Sequence, residues 1–153
     1  MITSQLESIL RKDPITRKMF CGAYAEDRLP ETLEQYPCGF IANTDPKGQP
    51  GKHWVAFYFS SPQQGEFFDS YGHPPEFYSD DFVVFLNEHC QEWIVNEKEL
   101  QSHNSRFCGH YFIYYVMHRA RGVSMETIVN RFSKNKLKND QLVNHFVEAL
   151  ITQ

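Results

Sequence analysis

Residues 108–121, CGHYFIYYVMHRAR, constrain this chain more than any other stretch. The run suits a helix, and Gly122 stops it. Its apolar residues fall on almost every side of that helix, so no broad face is left for water. Such a helix belongs at the centre of the fold, with other elements packed around it. A chain of 153 residues can supply them as one domain, residues 1–153, with one real core. The 13 Phe, 8 Tyr and 2 Trp make the composition globular rather than disordered.

The surrounding elements are legible in outline. CGFIANT (38–44), HWVAFYFS (53–60), EFFDSYG (66–72) and EWIVNE (92–97) read as strands. The second is apolar almost throughout, which predicts burial on both faces. DPKGQPGK (45–52) and SPQQG carry turn chemistry, so 53–72 reads as a hairpin or meander. Residues 21–38, interrupted by Pro30 and Pro37, read as loop. Ser4 and Glu7 form the pattern of a capping box for a first helix, with Leu6, Ile9 and Leu10 on one face and an end before Pro14. Ser79 caps a helix to about His89, with Phe82, Val83, Phe85 and Leu86 inward. Ser124 caps another, and Asn139 the last. The expected class is α+β: a small, mainly antiparallel sheet with helices segregated around it.

Several function classes are disfavoured. No apolar run is long enough to span a bilayer, so no membrane partner is expected. The start, MITSQLESILRKDP, lacks a basic segment followed by an apolar one, so secretion is not expected. Cys21, Cys38, Cys90 and Cys108 include no C-x-x-C pair; free thiols in a reducing setting are the expectation. The formal charge of −4 makes no global case for nucleic acid. Residues 119–138 are locally basic (Arg119, Arg121, Arg131, Lys134, Lys136 and Lys138 against Glu126), which fits a solvated helix face more often than an anion site.

The chemistry gathers around Cys108. A thiol at the first turn of a buried helix meets aligned peptide dipoles that favour its anion, the reactive form. The alternative is a core cysteine that happens to start a helix. A nucleophile also needs an imidazole to hold and return the proton, a group to orient that imidazole, and donors for the oxyanion. Seven histidines compete for the base. His53 opens a buried strand and is preferred. His103 is a flexible alternative in the preceding loop. His110 points to another helix face, and His118 is roughly 15 Å along the helix. His73, His89 and His145 read as surface or capping residues. Asp69, near the end of the paired strand, can reach the far ring nitrogen or simply cap its turn. Gln101 can fold back over the sulfur as oxyanion donor beside the Cys108 N–H, or stand exposed in its loop. Gly109 leaves room for a substrate backbone. A zinc site from His103, Cys108 and His110 lacks a fourth ligand at metal spacing, so no metal is expected.

GKHW, FFDSYG and QSHNSRFCG, with the apolar helix behind them, resemble the adenovirus maturation protease (adenain) family and its relatives in Maverick/Polinton-type elements. That family shares a clan with the SUMO-deconjugating cysteine proteases. PCGFIANT is similar to the family's strand before its histidine, and the likeness covers roughly residues 20–120. It implies His53 as general base and acid, Asp69 as its orienter, Cys108 as nucleophile and Gln101 as oxyanion donor. Adenain has Glu at the orienting position; the deconjugating enzymes have Asp. Trp54 matches the tryptophan after the family's histidine and would pack beside the site.

The implied activity is endopeptidase processing of viral or virus-like structural precursors, with Gly near the scissile bond. The rivals are a deconjugase for a ubiquitin-like protein and a non-catalytic binding module. The sequence itself demands no cofactor. The resemblance adds an activating peptide linked by disulfide to Cys90, and DNA, although an acidic chain suits DNA poorly. It also implies a monomer in the host nucleus or cytoplasm and in the virion.

Overall fold

The computed structural model describes residues 1–45, 53–103 and 105–153. Part of the expected 45–52 turn, residues 46–52, and Asn104 lie outside them. In chain order the elements are α1 (Thr3–Lys12), β1 (Phe20–Tyr24), β2 (Cys38–Asn43), β3 (Trp54–Ser61), β4 (Gln64–Phe68), α2 (Asp80–His89), β5 (Glu92–Val95), α3 (Cys108–Ala120), α4 (Met125–Asn130) and α5 (Lys136–Ile151). The five strands form one sheet in the order β1-β2-β3-β4-β5. Its central pairs are antiparallel and its two edge pairs parallel. The class is α+β, as expected.

β3 explains the layering. Successive side chains of a strand point to opposite faces. Trp54, Ala56 and Tyr58 join the core beneath α1, α3, α4 and α5. Val55, Phe57 and Phe59 join a second core beneath α2. Both faces are therefore covered, which is why the strand has no polar alternation. In the second core Phe57 stacks on Phe40 (4.8 Å between centroids) and meets Phe67 and Phe82 edge-on (5.3 Å each). Across the sheet, Phe68 lies flat on Tyr115 of α3 at 4.3 Å. Residues Tyr111 to Met117 of α3 are all buried, as an all-round apolar helix requires.

Four local expectations are corrected. Residues 20–24 form β1 instead of loop, because Phe20 to Tyr24 can pair with Gly39 to Ala42 of β2. That pairing brings the Cα atoms of Cys21 and Cys38 to 6.2 Å, and the two are joined as a disulfide; Cys90 and Cys108 remain free. Helix α1 starts earlier than Ser4: Ile2 is its cap, and Gln5 Oε1 accepts the Ile2 N–H at 3.0 Å. The last helix is capped by Asn135, whose side chain accepts from Lys138 N, while Asn139 is buried inside it.

Candidate active site

The candidate site lies where the start of β3 meets the ends of β4 and β5. His53 precedes β3, and its carbonyl accepts from the Thr44 N–H (3.0 Å) just beyond β2. Asp69 follows β4. Asn96, one residue past β5, clamps its backbone: Asn96 Oδ1 accepts from Asp69 N (2.8 Å), and Asn96 Nδ2 donates to Asp69 O (2.6 Å). The carboxylate of Asp69 is fully buried and accepts from Tyr71 N (3.3 Å), His73 N (3.0 Å) and Tyr78 Oη (2.6 Å). Asp69 thus caps its turn and also orients a ring, so its two readings coexist.

That ring is His53. Nε2 of His53 lies 2.5 Å from Asp69 Oδ1, and the Cys108 thiol stands near enough to the ring to act on its charge. With Nε2 engaged by Asp69, Nδ1 is the nitrogen left for the sulfur. Burial works against a charge on the imidazole, but Asp69 and Cys108 outweigh it and lift its pKa to about 9. Tyr71 and Tyr78 pack against the ring at 4.9 and 5.5 Å, closing it off from most solvent.

Cys108 is the first residue of α3. The cap residue Phe107 supplies no side-chain acceptor, and the first helical bond runs from Tyr111 N to Phe107 O (3.1 Å). The N–H groups of the first turn therefore have no carbonyl of their own helix to bind. Those N–H groups and the dipole favour negative charge at that end of the helix, where Cys108 stands.

Gln101 is fully buried, not an exposed loop residue. Its Oε1 accepts from Ser70 Oγ (2.6 Å), and its Nε2 donates to Ser105 O and Ser105 Oγ (2.9 Å each). The backbone N–H groups of Leu100 and Gln101 both bind Ser70 O (2.8 and 3.0 Å). The amide is thus fixed in orientation, and both its hydrogens are engaged by Ser105.

The other candidates sit elsewhere. Trp54 is buried in the larger core. Gly109 does not open onto a groove: a Cβ there would stand 3.1 Å from Leu6 Cδ2, so its smallness admits α1 instead. Cys90 ends α2, where its thiol donates to Leu86 O (3.2 Å) and packs against Gly65. Burial raises its pKa. His103 is exposed and pairs with Glu99 (3.3 Å), and His118 Nδ1 faces Tyr114 O (2.6 Å). The basic stretch is partly neutralised, with Arg119 bound to Glu66, Arg121 to Asp13 and Lys136 to Glu99. Among the described residues no cluster of His, Cys, Asp and Glu is arranged to hold a metal ion. None of their helices is long and apolar enough to cross a membrane.

Three residues of this site carried no signal of their own in the sequence reading. Ser70 and Asn96 are fixed only once β4 and β5 pair. Tyr78 reaches Asp69 through the short turn Pro75–Phe77 that leads into α2.

The fold has a counterpart in known structures. The ASFV pS273R protease is similar with a TM-score of 0.56 at 18% identity, over 94% of this chain. This chain spans 66% of that protease's length. The likeness is one of fold: this chain has the fold of a cysteine protease. The central domain of the uncharacterized Lpg1148 protein from Legionella pneumophila aligns over 91% of this chain and 96% of its own, with a TM-score of 0.47 at 15% identity. No protein-family model matches the chain, and no curated protein matches it in sequence.

Proposed function

We propose that this chain is a cysteine endopeptidase that processes viral or virus-like structural precursors. The observation that carries the reading is the His53 ring, held by Asp69 through Nε2 at 2.5 Å, with the Cys108 side chain at the front of α3 near enough to raise its pKa. In this reading they are the nucleophile, base and orienter of a thiol hydrolase. The cysteine-protease fold supports the same reading.

In the proposed reaction the Cys108 sulfur, its proton held by His53, attacks the scissile carbonyl. A C–S bond forms, and the carbonyl electron pair moves onto oxygen. The Cys108 N–H and Gln101 Nε2 stabilise that oxyanion, by about 3 kcal/mol for a well-aimed donor. Gln101 supplies the hydrogen now on the Ser105 hydroxyl and keeps its bond to the Ser105 carbonyl. As the intermediate collapses, the C–N bond breaks and His53 gives its proton to the leaving amine. Water then attacks the thioester, His53 takes the water's proton, and the C–S bond breaks to release the acid.

Glycine around the scissile bond is the preference we assign, on the resemblance to the adenain family. Cys108→Ala tests the reading. It should abolish cleavage of a glycine-containing peptide library while leaving the thermal unfolding transition in place. Unchanged turnover in that variant would remove the proposal.

A further inference from the structure

The C-terminal helix α5 contributes none of the reacting groups, yet two buried polar residues of its first turns act on the segment that carries Gln101. Asp140 is 5% exposed and makes no ion pair among the described residues. An unpaired buried carboxylate is costly and is tolerated only when hydrogen bonds satisfy it. Here Ser102 Oγ donates to Asp140 Oδ2, and Tyr111 Oη donates to Asp140 Oδ1 at 2.7 Å. The Ser102 N–H lies 3.5 Å from Oδ1.

Asn139 works on the other flank of Gln101. Its Nδ2 donates to Leu100 O at 3.0 Å, and Tyr111 Oη lies within reach of the same carbonyl at 3.2 Å. Asn139 is itself anchored by Ser133, whose N–H it accepts at 2.8 Å and whose carbonyl it binds at 2.9 Å. Leu100 and Ser102 bracket Gln101. Tyr111 stands one turn beyond Cys108 on α3. Helix α5 therefore ties the Gln101 segment to the helix that carries the sulfur.

We propose that Asp140 and Asn139 are positioning residues that set the separation of Gln101 from Cys108, and so the alignment of the oxyanion site. The proposal rests on the protease reading above. An apolar residue in place of Asp140 would make a simpler core, so stability alone does not account for the carboxylate. Its partners do, because all of them lie on Gln101's segment or on α3.

The test compares three readouts on the full chain. Peptide turnover, on a fluorogenic peptide with Gly-Gly before the scissile bond, reports oxyanion stabilisation. Affinity for a Gly-Gly peptide aldehyde, which forms a tetrahedral hemithioacetal, reports the same site. Alkylation of Cys108 by iodoacetamide displaces iodide and develops no oxyanion, so it reports the Cys108–His53 pair alone. Asp140→Ala should lower kcat about tenfold with KM within about twofold. It should weaken the aldehyde in parallel and leave the Cys108 alkylation rate unchanged. Asp140→Asn, which still accepts from Tyr111 and can donate to Ser102, should restore most of kcat. If Asp140→Ala fails to fold, Ser102→Ala, which removes the hydroxyl bond to Asp140, and Tyr111→Phe, which removes the hydroxyl contacts to Asp140 and the Leu100 carbonyl, should show the same split. Combined with Gln101→Ala, each should add nothing further.

A loss that is equal in all three readouts, or fully additive with Gln101→Ala, overturns the positioning role. Failure of the protease reading looks different: wild-type Cys108 would then be alkylated no faster than Cys90.

Discussion

Ser70 Oγ donates to Gln101 Oε1 at 2.6 Å, one residue along the chain from the Asp69 carboxylate that holds His53. A single dipeptide beyond β4 therefore orients both the imidazole and the side-chain amide proposed to receive the oxyanion. Ser70→Ala should cost about 1–3 kcal/mol of stability, since it leaves a buried amide oxygen without a partner. It should also lower kcat more than it raises KM. Denaturant unfolding and steady-state kinetics on the same preparation check both.

The His53 imidazole gives a signed pH dependence. Burial opposes its charge, but Asp69 and Cys108 prevail, and its pKa stands at about 9 against an ordinary 6.5. A raised histidine stabilises the fold fully below its unfolded value, and that contribution disappears as pH rises through the folded one. The stability difference between wild type and His53→Gln should therefore be larger at acid-neutral pH and shrink towards about pH 9 and above. Urea titrations of both proteins across that range check the sign. Turnover should fall along the same alkaline limb, because His53 must protonate the leaving amine.

Tyr78 is the neutral donor on Asp69. Tyr78→Phe keeps the ring against His53 and removes only the bond from its hydroxyl, 2.6 Å from Oδ2. A hydrogen bond to a carboxylate is worth about 1.5–3 kcal/mol. The variant should unfold at a lower temperature, and kcat should drop several-fold as Asp69 loosens. Thermal unfolding and kinetics together test it.

Gly109 separates a packing role from a substrate role. Gly109→Ala brings a methyl to within 3.1 Å of Leu6 Cδ2, so Leu6 must shift. A loss of about 1 kcal/mol in stability with KM unchanged is expected. A raised KM with stability unchanged would instead assign the glycine to the substrate.

Much of the fold is legible in the sequence. The central helix followed from apolar residues on all its sides, and β3 from its unbroken apolar run. His53, Asp69 and Cys108 each stand at the end of an element whose pattern is strong, and they point to a site only in combination and through the resemblance. What stayed hidden depends on tertiary pairing. β1 has a mixed composition and becomes a strand only beside β2, and the Cys21–Cys38 disulfide follows from that pairing. For Gln101 the sequence leaves both a donor folded over the sulfur and an exposed loop residue open, because nothing local shows that Ser70 and Ser105 enclose it. Gly72 combines both kinds of demand: its φ of +76° is local to the turn after Asp69, while the Lys98 carbonyl 2.7 Å from any Cβ is a tertiary contact.

The central claim is that the Cys108 sulfur shares a proton with His53. Site-resolved iodoacetamide labelling near neutral pH, read by mass spectrometry in wild type and His53→Ala, measures it most directly. The account predicts that Cys108 is alkylated much faster than Cys90 in the wild type, and that His53→Ala removes the advantage while Cys90 is unaffected. Equal labelling of the two thiols in the wild type, or a fast Cys108 that does not respond to the loss of His53, would contradict it.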